Sequence, residues 1–236
     1  MNMKIKFLVL AAVSLLFVTA SGNDPNKRSD PDAANWDIAT LDTAADADYL
    51  TGIEKDVILE MNKVRTDPKK YAKLYLQPRL KYYQKNNYMV PGEITLITKE
   101  GAKAVKECIK ALNKTKSMGI LKPEKGLYLA AKDHVKDQGK TGQTGHTGSD
   151  KSSPKDRIVR HGSFGSSWSM AENIAYGSVT GRDIVVDLLI DDGVKNRGHR
   201  VNILNGDFTQ TGAAYGEHAK IRTTCTIVYA RGFISK

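Results

Sequence analysis

Two histidines stand in glycine-flanked strings, Gly145-His146-Thr147-Gly148-Ser149-Asp150 and Gly198-His199-Arg200-Val201-Asn202-Ile203-Leu204. Glycine next to an imidazole allows close backbone approach, so such loops can present the ring. Two further places carry acids. Ala171-Glu172-Asn173-Ile174-Ala175-Tyr176-Gly177 sets a carboxylate just ahead of an apolar stretch, and Asp191-Asp192 closes a helical pattern. Two imidazoles with carboxylate oxygens suit Zn²⁺ or a similar divalent ion, with an open position for water. The alternative is four polar groups that hydrogen-bond one another in a wet cleft. His134 differs, because it lies on the apolar face of a helical pattern and reads as a packed structural residue. His161 and His218 read as loop residues.

Other catalytic strings are missing: there is no Gly-x-Ser-x-Gly elbow, no phosphate loop and no His-Glu-x-x-His. The chain has two cysteines, Cys108 and Cys225. In an exported protein an even pair suggests one disulfide, which in the chain-entropy model would contribute about 4–5 kcal/mol. The alternative is two buried free thiols.

Helical spacing positions these groups. Val57, Ile58, Met61 and Val64 repeat helically from about Glu54 until Asp67-Pro68 interrupts them. Further helices are expected over 102–114, 125–138 and 181–192. Residues 211–215 and 223–233 then read as strands, with 216–220 as the turn of a hairpin. Helices first and strands late indicate an α+β domain with a small, mostly antiparallel sheet.

At the N-terminus, Lys4 and Lys6 precede the apolar run 7–18 and the small residues Val18-Thr19-Ala20. Residues 1–22 therefore read as a secretory signal peptide, the run being shorter than a span of about 20 residues. The protein is expected to be secreted, monomeric and not integral to a membrane. Residues 23–50 hold seven Asp against Lys27 and Arg28 and read as an acidic flexible linker. Of the total charge of +10 the leader holds +2 and the linker −5, so 51–236 carries 10 − 2 + 5 = +13. The basic residues are scattered without interleaved aromatics, so no nucleic-acid partner is expected.

Taken in series, these strings resemble the bacterial-type branch of the CAP superfamily, the cysteine-rich secretory, antigen and pathogenesis-related proteins. The resemblance runs through His146-Thr147-Gly148-Ser149-Asp150, Asp156-Arg157, Glu172-Asn173-Ile174-Ala175 and Gly198-His199-Arg200 with Asn202-Ile203-Leu204. Asn62, Arg65, Asp67-Pro68 and Tyr71 resemble the family's opening helix, so most of 51–236 is covered. It implies a three-layer α-β-α sandwich around a cleft lined by two histidines and two acids, which in some members hold a divalent metal. His146, Glu172 and His199 carry over directly. The fourth place falls on Asp192, with Asp191 as the near alternative, where relatives often have Glu or Ser. The implied function is non-enzymatic binding of a lipid, sterol or other extracellular ligand; the alternative is a metal-assisted hydrolase.

Overall fold

The structure, a computed structural model, describes residues 33–236. The leader expected over 1–22 and the first part of the expected linker lie outside them. Residues 33–50 of the expected flexible linker instead pack against the main core. A 3₁₀ turn, Ala33–Asn35, leads into α1 (Ile38–Leu41), whose first turn Asp37 caps by accepting from the Thr40 amide at 3.3 Å. Trp36, Leu41, Ala44 and Leu50 are buried in the main core. Trp36 Nε1 donates to the Tyr75 hydroxyl at 2.8 Å, and Asn62 Nδ2 donates to the Leu41 carbonyl at 2.9 Å. The segment is polar on average, but burying a few large apolar side chains at about 1.5–3 kcal/mol each suffices to dock it.

Helix α2 (Gly52–Thr66) starts at Thr51 with a capping box, Glu54 accepting from the Thr51 amide at 2.7 Å. Asp67 ends α2 and caps α3 (Pro68–Tyr71), whose first residue is a proline. A small antiparallel sheet follows, made of β1 (Tyr83–Gln84), β2 (Asn87–Tyr88) and β3 (Leu96–Ile97). Then come α4 (Ala102–Lys114), β4 (Lys122–Pro123), α5 (Lys125–Thr141) and α6 (Pro154–Arg160). The chain closes with β5 (Gly162–Tyr176), α7 (Gly181–Ile190), α8 (Gly198–Ile203), β6 (Gln210–His218) and β7 (Arg222–Ser235). The hairpin of β6 and β7 matches the expectation. His218 does not read as expected: it ends β6, buried, against the Gln143 carbonyl.

The main sheet has the order β4-β6-β7-β5, with β4 and β6 parallel and the other pairs antiparallel. Helix α5 lies tight on one face. A Cβ at Gly212 of β6 would meet the Tyr128 amide nitrogen at 2.1 Å, so only glycine fits there. On the other face the Tyr229 hydroxyl of β7 reaches the Met61 sulfur of α2 at 3.3 Å, and α2 packs against α7. These are the three layers of an α-β-α sandwich, as expected. No helix among the described residues is long and apolar enough to cross a membrane.

The disulfide expectation is corrected. Cys108 on α4 and Cys225 on β7 are both free and buried, packed as small apolar groups. Burial pushes the Cys108 thiol up to about 12 and raises that of Cys225 as well.

Candidate functional site

Helix α5 ends at Gly142 in the left-handed conformation, and the loop after it is fixed around Gly145, where φ is +97°. The Gly145 carbonyl accepts from His134 Nε2 at 2.8 Å and from Gln138 Nε2 at 2.6 Å. Its amide donates to the Tyr176 hydroxyl at 2.9 Å. This grip aims His146, whose side chain is 51% exposed. His134 is fully buried, as expected of a packed residue. Desolvation, and then the Arg157 charge, push its pKa below the ordinary imidazole value.

The polar end of the same loop builds α6. Ser153 and Asp156 form a capping box with Pro154 behind it, which places Arg157 against the sheet. Arg157 Nη2 donates to Glu172 Oε2 at 2.8 Å and Oε1 at 3.1 Å, and also to the His146 carbonyl at 3.1 Å. His146 Nδ1 donates to Glu172 Oε1 at 2.9 Å. Thus Glu172 on β5 holds one imidazole and one guanidinium.

The second histidine has its own carboxylate, and it is not Asp192. Helix α7 stops at Ile190, and Asp191 turns into the left-handed region with φ +56°. Its Oδ1 accepts from His199 Nδ1 at 2.7 Å and its Oδ2 from the His199 amide at 3.0 Å. The Asp192 carboxylate points elsewhere and accepts from the amides of Lys99 at 2.6 Å and Glu100 at 2.8 Å. The expected fourth member is therefore replaced by its neighbour. The left-handed cap rotates successive side chains apart, and only the first reaches the ring.

Consecutive residues of β5 serve the two histidines. Asn173 Nδ2 donates to the His199 carbonyl at 3.0 Å and to the Tyr229 hydroxyl at 3.1 Å, and its Oδ1 accepts from Asn202 at 2.8 Å. Strand side chains alternate between faces. Glu172 accordingly stands with His146 and α6, while Asn173 stands with His199 and α8, both on the edge strand. Among the described residues no group of three or more His, Cys, Asp and Glu is arranged to hold a metal ion. The site is two imidazole–carboxylate pairs rather than one four-membered set. Glu107, which clasps Arg200 at 2.8 and 2.7 Å and so braces α8 on α4, carried no signal in the sequence. Arg157 and Asn173 did, as members of the recognised strings.

The model of the cysteine-rich secretory protein family matches residues 60–229. The chain belongs to the CAP family. Two solved structures resemble it over 56% of its length. One is an outer surface protein of Borrelia burgdorferi, at 17% identity, 88% coverage of that chain and a TM-score of 0.40. The other is an extracellular SCP-domain protein of Bacillus anthracis, at 21% identity and a TM-score of 0.35, of which this CAP chain covers 38%. No curated protein matches it.

Proposed function

We propose that this CAP chain is an exported, non-enzymatic binding protein whose two carboxylate-paired imidazoles take an extracellular ligand or a divalent cation such as Zn²⁺. Family membership supports export, and the two similar structures are described as outer-surface and extracellular proteins. The observation that carries the reading is that each Nδ1 is already bonded to a carboxylate, His146 to Glu172 and His199 to Asp191. That leaves each Nε2 on the far side of its ring from the carboxylate, the arrangement in which a carboxylate orients a metal-binding histidine from behind. Each imidazole would offer Zn²⁺ one nitrogen, with Glu172 orienting His146 and Asp191 orienting His199. A bound ion would supply Lewis acidity.

A hollow of about 140 Å³ beside Arg157 is lined by Asp133, Asp137, Asp150 and Arg160. It has room only for water and small polar groups; larger hollows of about 320 Å³ beside Arg200, Val201 and Leu204 and about 510 Å³ beside Tyr215 and Glu217 could take a bulkier ligand. The pairing of Asp191 with His199 favours a second reading, activation of water by His199, because a base oriented by a carboxylate is the hydrolase arrangement. Cys108 and Cys225 are no nucleophiles for it, being buried thiols.

Titration calorimetry with zinc tests the first reading. His146→Ala and His199→Ala should each weaken binding at least about tenfold. Asp191→Asn should weaken it by about 10–100-fold, whereas Asp192→Asn should leave it unchanged. Wild-type affinity in both histidine variants would refute the shared role.

A further inference from the structure

Residues 91–97, Pro-Gly-Glu-Ile-Thr-Leu-Ile, are exposed without interruption at the outer end of the small sheet. Ile94 and Ile97 are each 85% exposed and Leu96 53%, with Met89 beside them. Leu96 and Ile97 are neighbours on β3, so their side chains point to opposite faces, and both are exposed. Solvent-exposed apolar groups clustered this tightly mark a contact surface.

The surroundings of this tip are layered. Beneath it lie Tyr82, Tyr83 and Tyr88, with ring centroids 4.9 Å apart for Tyr83 and Tyr88 and 6.1 Å for Tyr82 and Tyr88. Arg79 stacks on Tyr88 at 4.5 Å and Lys81 on Tyr82 at 4.7 Å. Lys81, Lys85, Lys99 and Lys103 are exposed around the base; of the acids there, Glu93 is exposed and Asp187 and Asp183 are paired with Arg79 at 3.5 and 3.4 Å. The other acid of the segment, Glu100, is paired with Arg197. An apolar tip, a tyrosine belt and a ring of lysines follow the order of polarity across the face of an anionic bilayer. A flat protein partner would cover only one side of a tip that is apolar on both. Pairing with a second copy along β3 has just two residues to work with, and such short edges resist strand addition.

We infer that the tip around Ile94 and Ile97 inserts into the outer layer of an anionic lipid membrane. This surface is independent of the two imidazoles. Its base is nevertheless tied to the loop that carries them, since Asp192 accepts from the amides of Lys99 and Glu100. The residue expected as a metal ligand is an anchor for the tip.

Sedimentation of the full chain with vesicles tests the inference, using phosphatidylcholine alone and phosphatidylcholine mixed with phosphatidylglycerol. The wild type should bind the mixed vesicles in preference. The Ile94→Asp, Ile97→Asp double variant should lose about tenfold of that binding at unchanged melting temperature, both side chains being exposed. Lys81→Glu with Lys85→Glu should abolish the preference for phosphatidylglycerol, and His146→Ala should change nothing, which separates this surface from the histidine site. Absence of wild-type binding to either vesicle would overturn the inference, as would full binding by the double aspartate variant. A wild-type dimer in solution that the same variant converts to monomer would assign the tip to self-association and likewise overturn it.

Discussion

Glu172 sits inside the protein with its side chain only 2% exposed, and so does its partner Arg157. Neither charge is solvated, so each depends on the other. Removing one partner of such a pair strands the remaining charge, at about 3–5 kcal/mol. Arg157→Met is therefore expected to lower stability by about that much, and adding Glu172→Gln should restore a good part of it. Thermal unfolding of the single and double variants decides; a double variant as unstable as Arg157→Met would show that the charges are not coupled. His146, Glu172 and His199 stand out in the sequence because whole strings, not isolated residues, carry them. At the fourth place, expected at Asp192 with Asp191 as the near alternative, it is Asp191 that bonds His199. The apolar pattern of α7 does not reveal where its last turn ends, and Asp191 adopts a left-handed conformation that aspartate tolerates better than most residues.

Among the elements, helices α4 and α5 were legible because apolar residues repeat along them with helical period. Strand β5 was not. Its first half, Gly162-Ser163-Phe164-Gly165-Ser166-Ser167-Trp168, has neither alternation nor β-branched residues, and its register slips between Phe164 and Ser169. Tertiary pairing with β7 makes it a strand. The segment 33–50 escaped for a related reason: its average composition is acidic and polar, whereas its docking depends on four apolar side chains. Trp36 packs against Tyr71 and Tyr75 at centroid distances of 6.4 and 6.5 Å, under Lys70 at 4.7 Å. Trp36→Ala should cost about 3–5 kcal/mol if the cavity stays open, and a chain starting at Thr51 should melt well below the full protein. An undiminished melting temperature for the shortened chain would restore the linker reading.

Across the whole molecule, a net charge of +10 says nothing of how the charges pair. Glu100 and Glu107 were unremarkable in the sequence. In the fold, Arg197 donates to Glu100 at 2.7 and 2.8 Å and to Glu107 at 3.2 Å, while Arg200 clasps Glu107. The network joins the base of the exposed tip, α4 and the loop that carries Asp191 and His199. Its acid sensitivity is readable at one atom pair, because the Gly193 amide donates to Glu100 Oε1 at 2.8 Å. Hydrogen bonds from Arg197, then from the Gly193 amide, hold the Glu100 carboxyl down to about 2. An unfolded glutamate protonates near about 4.3, so the stabilisation from this clasp is complete above that pH and lost as pH falls toward about 2. The Gly193 amide resonance, followed through an acid titration, should move with a midpoint near about 2 rather than about 4.3. In Arg197→Met the midpoint should rise toward the ordinary glutamate value, since the charged donor is gone, and in Glu100→Gln the transition should vanish. A wild-type midpoint near about 4.3 would mean that Arg197 does not hold Glu100, and that the tip and the histidine loop are joined only through Asp192.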